Sequence, residues 1–332
     1  MPVNSRLSIA VPTYNRAGIL DFFLEIYVPL MRKHSIAIYI SNNASEDNTI
    51  EIIEKWKKEY PYIFYSSFEE TVHVDYNIEK VLRLSDAEYT WIVGDGYEIP
   101  EKSLNYILSV LPDEGDHYEF IVANLVGRIK DIEEQIYSEP NSTLEDLGWM
   151  VACLGCTIFH KSTIDNAPFA KYRNTEFLHV GIVFDYISNH DFKLLWAPDV
   201  VVVTLKSPQI KTGWGIYYFL NIFEKWPEFV SILPDTFSAS SKKMATRALQ
   251  EKSNLLGWRY LLTIRWQGVL NRETYIIYKD KVSDVAPGYI RSYLFILTYT
   301  PKVVCGIVRR VVEWFRRKNY QIRKALNPDL IM

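Results

Sequence analysis

Apolar and polar positions follow two different periods over roughly the first hundred residues. Short continuous apolar runs at Leu7 to Val11, Ile36 to Ile40, Tyr62 to Tyr65 and Tyr89 to Val93 have the length of strands buried on both faces. Between them the period lengthens to that of a helix, over Ala17 to Lys33, about Glu46 to Glu59, and Val74 to Leu84. In the second of these, Ile50, Ile53 and Trp56 share one face. Strand and helix units joined by connections this short predict an α/β fold with a mostly parallel sheet and helices on both its faces. Tyr118 to Val126 adds a further strand. The stretch from about Asn141 to Thr204 predicts more sheet and one helix near Thr175 to Asn189. From Gly213 onward the pattern is mainly helical and rich in aromatics, so the expected organisation is a first domain over 1–205 and a helical region over 206–332. No internal repeat or low-complexity segment interrupts it.

Ligands of such sheets bind outside the carboxyl ends of the strands. Three polar turns stand there: Pro12 to Arg16, Ser41 to Asp47, and Gly94 to Glu98. Each alone is explained as an ordinary cap or turn, because Asn, Asp, Ser and Gly punctuate chains at such places.

Composition narrows the partners. With Lys and Arg totalling 37 against 40 Asp and Glu, the net charge of −3 offers no general attraction for nucleic acid. The three cysteines, Cys153, Cys156 and Cys305, are an odd set that argues for a reducing compartment rather than a disulfide framework. Cys153 and Cys156 form a C-x-x-C without the second ligand pair a zinc site wants, and read as small buried residues. Arg6 leads directly into a strand that stops at Pro12, where a secretory signal would continue as an apolar run. No apolar stretch reaches the roughly 18 to 20 residues that span a bilayer. A cytoplasmic protein is therefore expected. Its last part is different in character: eight Lys and Arg between Lys302 and Lys324 accompany a single acid, Glu313, and are interleaved with Val, Ile, Trp314 and Phe315. That pattern predicts an interfacial helix on the inner face of a plasma membrane, against the alternative of a solvated helix packed on its own domain.

Four motifs occur in register: Leu7 to Arg16 (LSIAVPTYNR), Ile40 to Thr49 (ISNNASEDNT), Val74 to Asn77 (VDYN) and Tyr89 to Asp95 (YTWIVGD). Their order and spacing over roughly residues 5 to 110 resemble the family 2 glycosyltransferases of the glycosyltransferase A fold, a Rossmann-like nucleotide-diphospho-sugar transferase fold. Within that family they are most similar to the abequosyltransferase-like branch of capsule and O-antigen enzymes. The resemblance implies a nucleotide-sugar donor, UDP-sugar first with dTDP and GDP donors open, and a lipid-linked or polysaccharide acceptor. It places Pro12, Thr13, Tyr14, Arg16, Asn42, Asn43, Asn77 and Asp95 around the donor. The second turn carries Asn42 and Asn43 where the family has an acid, and an amide can still pair with a base edge in either sense.

The family's D-x-D motif binds Mn²⁺ or Mg²⁺ against the departing diphosphate. Here Asp95 is kept, Gly96 and Tyr97 stand where acids are usual, and Glu98 is the nearby carboxylate that could compensate. Three readings follow: metal on Asp95 alone or with Glu98, neutralisation by donors such as Arg16, or loss of catalysis. An inverting displacement also needs a general base, which the family places near the start of a helix in the second half of the domain. His179 falls at that position, Glu176 lies three residues earlier, and Asp185 is a third candidate. Trp214, Tyr217, Tyr218 and Trp226 divide between stacking on sugars and core packing. The rivals are a nucleotidyltransferase, which wants a Gly-rich basic loop after the first strand, and a non-catalytic nucleotide-sugar or glycan-binding protein. A dinucleotide-dependent oxidoreductase lacks its G-x-G-x-x-G.

Overall fold

The computed structural model describes residues 3–112, 115–205, 217–252 and 255–326. In chain order the sheet region contains β1 (Leu7–Thr13), α1 (Ala17–His34), β2 (Ala37–Asn42), α2 (Thr49–Glu59), β3 (Ile63–Ser67), α3 (Val74–Leu84), β4 (Tyr89–Ile92) and β5 (Tyr97–Glu98). It continues through α4 (Glu101–Val110), β6 (Phe120–Leu125), β7 (Gln135–Tyr137), α5 (Pro140–Val151), β8 (Thr157–His160), α6 (Lys161–Asp165), α7 (Phe169–Tyr172), α8 (Leu178–Asn189) and β9 (Leu194–Thr204). Beyond it come α9 (Tyr218–Leu220), α10 (Trp226–Ser231), α11 (Ala239–Lys252), α12 (Trp258–Gln267), α13 (Arg272–Tyr278), α14 (Val282–Val285), α15 (Gly288–Tyr299) and α16 (Lys302–Leu326).

Among the described residues nine strands form one sheet in the order β3-β2-β1-β4-β8-β6-β9-β5, with β7 paired to β9. The first four are parallel, as the short apolar runs and intervening helices require. Beyond β4 the sheet is mixed: β8 runs antiparallel between β4 and β6, and β6 returns to parallel pairing with β9. The alternation of strand and helix signals ends there, so the sequence pattern carries no direction for these strands.

The described residues divide into two units. Residues up to 205 and 228–252 make up the first. In it α11 lies along α5, where Ala245 meets the Cβ-free surface of Gly148 and Ser241 donates to Glu145 at 2.7 Å. Residues 217–227 and 255–326 make up the second, whose core includes Tyr218, Ile222, Leu261, Val282, Leu294 and Cys305. Tyr218 and Trp226 are thus buried core residues, Tyr217 is exposed, and Trp214 lies outside the described residues.

Cys153 and Cys156 are free thiols in the turn between α5 and β8. A hydrogen bond with Cys156, and another with Tyr97, hold the Cys153 thiol below its ordinary range, while burial raises Cys156. Gly181 shows how tightly α8 is set. A Cβ there would overlap the ring of Tyr172, whose hydroxyl is anchored on Asp185 at 2.9 Å. Gly181→Ala is expected to destabilise the sheet unit by about 1–3 kcal/mol through overpacking, read as a lowered urea midpoint with unchanged slope.

Candidate active site

Strand register brings the polar turns together. Thr13 is paired with Asn42, and Asn42 with Ser67, so the carboxyl ends of β1, β2 and β3 are level. The Thr13 carbonyl accepts from the Asn43 backbone N–H at 3.0 Å and from the Asn77 side chain, on α3, at 3.3 Å. On its other side the Thr13 hydroxyl donates to Oδ2 of Asp95 at 2.9 Å. Four of the residues expected around the donor therefore meet at one backbone position.

The first two turns lock onto each other. Asn15, at φ 49°, a left-handed conformation Asn tolerates better than most residues, donates its N–H to Ser45 Oγ and accepts from the Glu46 N–H, both at 2.8 Å. Asp47 accepts from the N–H groups of Ala17 and Thr49, satisfying orphan donors at the starts of α1 and α2. Asn42 accepts from the Ser45 N–H and donates to Ser67 Oγ; Asn43 exchanges two hydrogen bonds with the backbone of Val72. Both amides are buried and committed to the protein. They hold the turns in shape, whereas the side chains of Tyr14 and Arg16 are open to solvent. Two buried polar atoms in this region, Asn77 Oδ1 and Ser41 Oγ, have no partner among the described residues. Groups of this kind at the carboxyl edge of a parallel sheet are what a ligand's polar edge would satisfy. Beside the turns a cleft of about 510 Å³ is lined by Asn42, Ser45, Ile50, Ser67, Phe68 and Thr71, large enough for a nucleoside.

Asp95 is 1% exposed. One carboxylate oxygen takes the Thr13 hydroxyl, and the other takes the guanidinium of Arg16. Burial raises its pKa, opposed by the Arg16 charge and the Thr13 bond. Tyr97, standing where the family has an acid, turns into the protein: its ring packs on Gly94 and Gly155 and its hydroxyl meets Cys153. Glu98 is half-buried in β5, opposite Val203. Among the described residues no group of three His, Cys, Asp or Glu side chains could hold a metal by itself. A cation on Asp95 would have to share its oxygens with Thr13 and Arg16 and be completed by phosphate oxygens and water.

The three candidate bases fall in different environments. His179 is 3% exposed, makes no hydrogen bond of normal geometry through either ring nitrogen among the described residues, and is pushed down to about 4 by burial. A sealed imidazole cannot reach an acceptor hydroxyl. Asp185 is held by Lys171 and Tyr172. Glu176 is half-exposed and sits at φ 71°, a left-handed backbone that a non-glycine residue adopts only when its surroundings impose it.

The imposing group is Asp75, which the sequence showed only as part of a motif. Its fully buried carboxylate accepts from the backbone N–H groups of Thr175, Glu176 and Leu178 at 2.8, 3.1 and 3.4 Å. A second clamp lies alongside, where Arg173 forms a two-pronged pair with Glu79 at 2.8 and 2.9 Å. His73 lies between the two carboxylates. Its Nδ1 accepts from the Asp75 N–H at 3.3 Å, so in the neutral ring the proton lies on Nε2, 3.0 Å from Glu176 Oε1. A His two residues before an Asp in the first turn of a helix was the available sequence signal. It reads as local capping, because nothing in the order of residues says that the Asp side chain turns across to another segment. Through α3, which carries both Asp75 and Asn77, Glu176 is tied to the same frame as Thr13 and Asp95.

Residues 8–162 match the model of the family described as glycosyl transferase family 2. Over 115 residues the chain is 31% identical to the abequosyltransferase RfbV of Salmonella typhimurium strain LT2, a match that spans 34% of each chain, about a third of that relative's length. Two solved structures share the fold over most of their length. The mannosyltransferase PcManGT of Pyrobaculum calidifontis, in complex with GDP-Man and Mn²⁺, aligns at a TM-score of 0.52 and 13% identity, over 92% of this chain and 87% of that one. S. aureus TarS 1-349, in complex with UDP-GlcNAc, aligns at 0.53 and 13% identity, over 94% and 92%. Residues 8–162 thus carry the pattern of the family 2 glycosyltransferases, on a glycosyltransferase A fold, and the sequence likeness found is to an abequosyltransferase.

Proposed function

We propose that the protein transfers a sugar from a nucleotide-sugar donor, UDP-sugar first, to a lipid-linked or polysaccharide acceptor in the synthesis of a bacterial surface glycan, with inversion at the anomeric carbon. The observation that carries this reading is the joining of Thr13, Arg16 and Asp95 at the carboxyl ends of β1 and β4, with Glu176 fixed to the same frame through Asp75. The abequosyltransferase likeness supports it, as does a shared fold with proteins holding UDP-GlcNAc or GDP-Man.

In this reading the acceptor oxygen attacks the anomeric carbon, its proton passes to a Glu176 oxygen, and the bond from that carbon to the diphosphate breaks. Arg16, in the turn after β1, would set its charge against the departing diphosphate. Asp95, with Glu98, would hold Mn²⁺ or Mg²⁺, which supplies further neutralisation when bound. Base and ribose are left to Tyr14, Asn77 Oδ1 and the cleft beside Asn42, since the Asn42 and Asn43 amides are already engaged.

The test is a panel of nucleotide sugars with and without Mn²⁺ or Mg²⁺, followed by release of nucleoside diphosphate and by thermal shift. Acceptor-dependent release supports the reading, and failure to bind any nucleotide sugar overturns it. Binding without release would favour a second reading, a non-catalytic nucleotide-sugar-binding protein, which the Gly96 and Tyr97 substitutions in the metal motif motivate.

His73 acts here as a positioning residue for Glu176. His73→Leu is expected to lower kcat about 10- to 100-fold at unchanged donor KM, because the base loses its orienting N–H. His73→Gln, which retains a donor, should recover most of the rate. Equal loss in both variants, or a change confined to KM, would remove His73 from this role.

A further inference from the structure

Helix α16 turns its apolar side away from its own unit. At about 100° per residue, Val303, Val304, Ile307, Val311, Trp314 and Phe315 fall within one arc of roughly 120°, and each is between 45 and 73% exposed. The side that packs is made of other residue types. Cys305 is buried, Gly306 lies so close to Trp266 that a Cβ would meet the indole at 2.8 Å, and Arg309 stacks over the same ring at 4.1 Å while pairing with Glu313. A solvated helix docked on its own domain buries its apolar arc, and α16 does the reverse. The end of α15 extends the feature: Phe295, Ile296 and Tyr299 are between 49 and 59% exposed. No helix of the described residues is long and apolar enough to cross a membrane.

We propose that the outward arc of α16, with the end of α15, docks on an anionic lipid surface, lying in the plane of the headgroups. Charge selects this occupant. Between 302 and 324 the one acid, Glu313, is already paired with Arg309, so in a dimer the other Lys and Arg of the segment would be set against their own copies. An anionic bilayer takes the apolar arc into the headgroup boundary and the cations onto lipid phosphates at once. The trait is independent of the transferase reading, and the nucleotide-sugar assay and vesicle binding fail separately.

The full chain is floated with vesicles of pure phosphatidylcholine and with vesicles carrying about 30% phosphatidylglycerol, a strongly anionic surface. Binding is expected only to the anionic vesicles, and to weaken at high salt. Arg310→Glu with Lys302→Glu should lower the partition at least 25-fold, at about fivefold per cation removed. Ile307→Ser with Trp314→Ala should lower it about tenfold or more through lost apolar burial. Both pairs lie at exposed positions, so an unchanged melting temperature and nucleotide-sugar thermal shift establish that the fold is intact. Equal binding to neutral and anionic vesicles, binding to neither, or lipid-free self-association abolished by the Ile307 and Trp314 changes would overturn the proposal.

Discussion

Glu176→Gln is expected to lower the rate of sugar transfer about 10²- to 10⁴-fold, the usual contribution of a positioned general base, while leaving the donor KM within about twofold. The amide matches the carboxylate in shape and cannot accept the hydroxyl proton. The strained backbone at Glu176 is held by Asp75 through main-chain N–H groups, so the substitution leaves that scaffold in place. Initial rates at saturating donor and acceptor test this, with thermal shift on the donor as the control for binding. His179→Asn supplies the contrast. A buried, neutral imidazole sealed from solvent contributes packing, so this change should lower stability and leave kcat nearly unaltered. A fully active Glu176→Gln enzyme, or a His179→Asn enzyme that is folded and dead, would reverse the assignment. In either case the transferase reading could survive, since donor binding and nucleoside diphosphate release are measured separately.

Asp95→Asn is expected to reduce nucleoside diphosphate release about 10³-fold, at the upper end of what one removed electrostatic contact costs. Two losses combine. The amide can still accept the Thr13 hydroxyl, but it ends the ion pair with Arg16, and it withdraws the buried carboxylate of the proposed metal site. Stability should move the other way. Burial outweighs Arg16 and Thr13 and raises this carboxyl above its unfolded value, so the native state binds the proton more tightly than the unfolded chain does. Its contribution is then most favourable at low pH and is lost as pH rises above the ordinary carboxylate range. At neutral pH, without metal, the Asn variant should melt at or above the wild-type temperature. Added Mn²⁺ should raise the wild-type melting temperature and leave the variant unmoved. A metal-induced shift that persists in Asp95→Asn would place the ion elsewhere, and retained activity would remove Asp95 from the machinery.

Asp75 differs in kind from Asp95. Its raised pKa comes first from burial, and its partners are His73 and three backbone N–H groups, none of which is free to hold a ligand. Its role is to bring a segment about a hundred residues later in the chain to the face where Thr13 and Asp95 lie. The resemblance marked the motif that contains Asp75 and the stretch that contains Glu176. That one grips the other came only from the folded chain.

The order of residues by itself determined the first four strands, their helices and their parallel direction, because a strand buried on both faces and an amphipathic helix each leave a local period. It also determined which turns stand at the ligand edge, because in a parallel sheet that follows from strand order alone. The antiparallel entry of β8, the addition of residues 228–252 to the sheet unit, and the different environments of Glu176, His179 and Asp185 came only from tertiary structure. So was the outward turn of the apolar arc on α16, which the periodicity described without saying which way it faced. Periodicity arises from neighbours along the chain. Burial, which separates a sealed imidazole from an open carboxylate and an inward arc from an outward one, depends on what packs there from elsewhere in the fold.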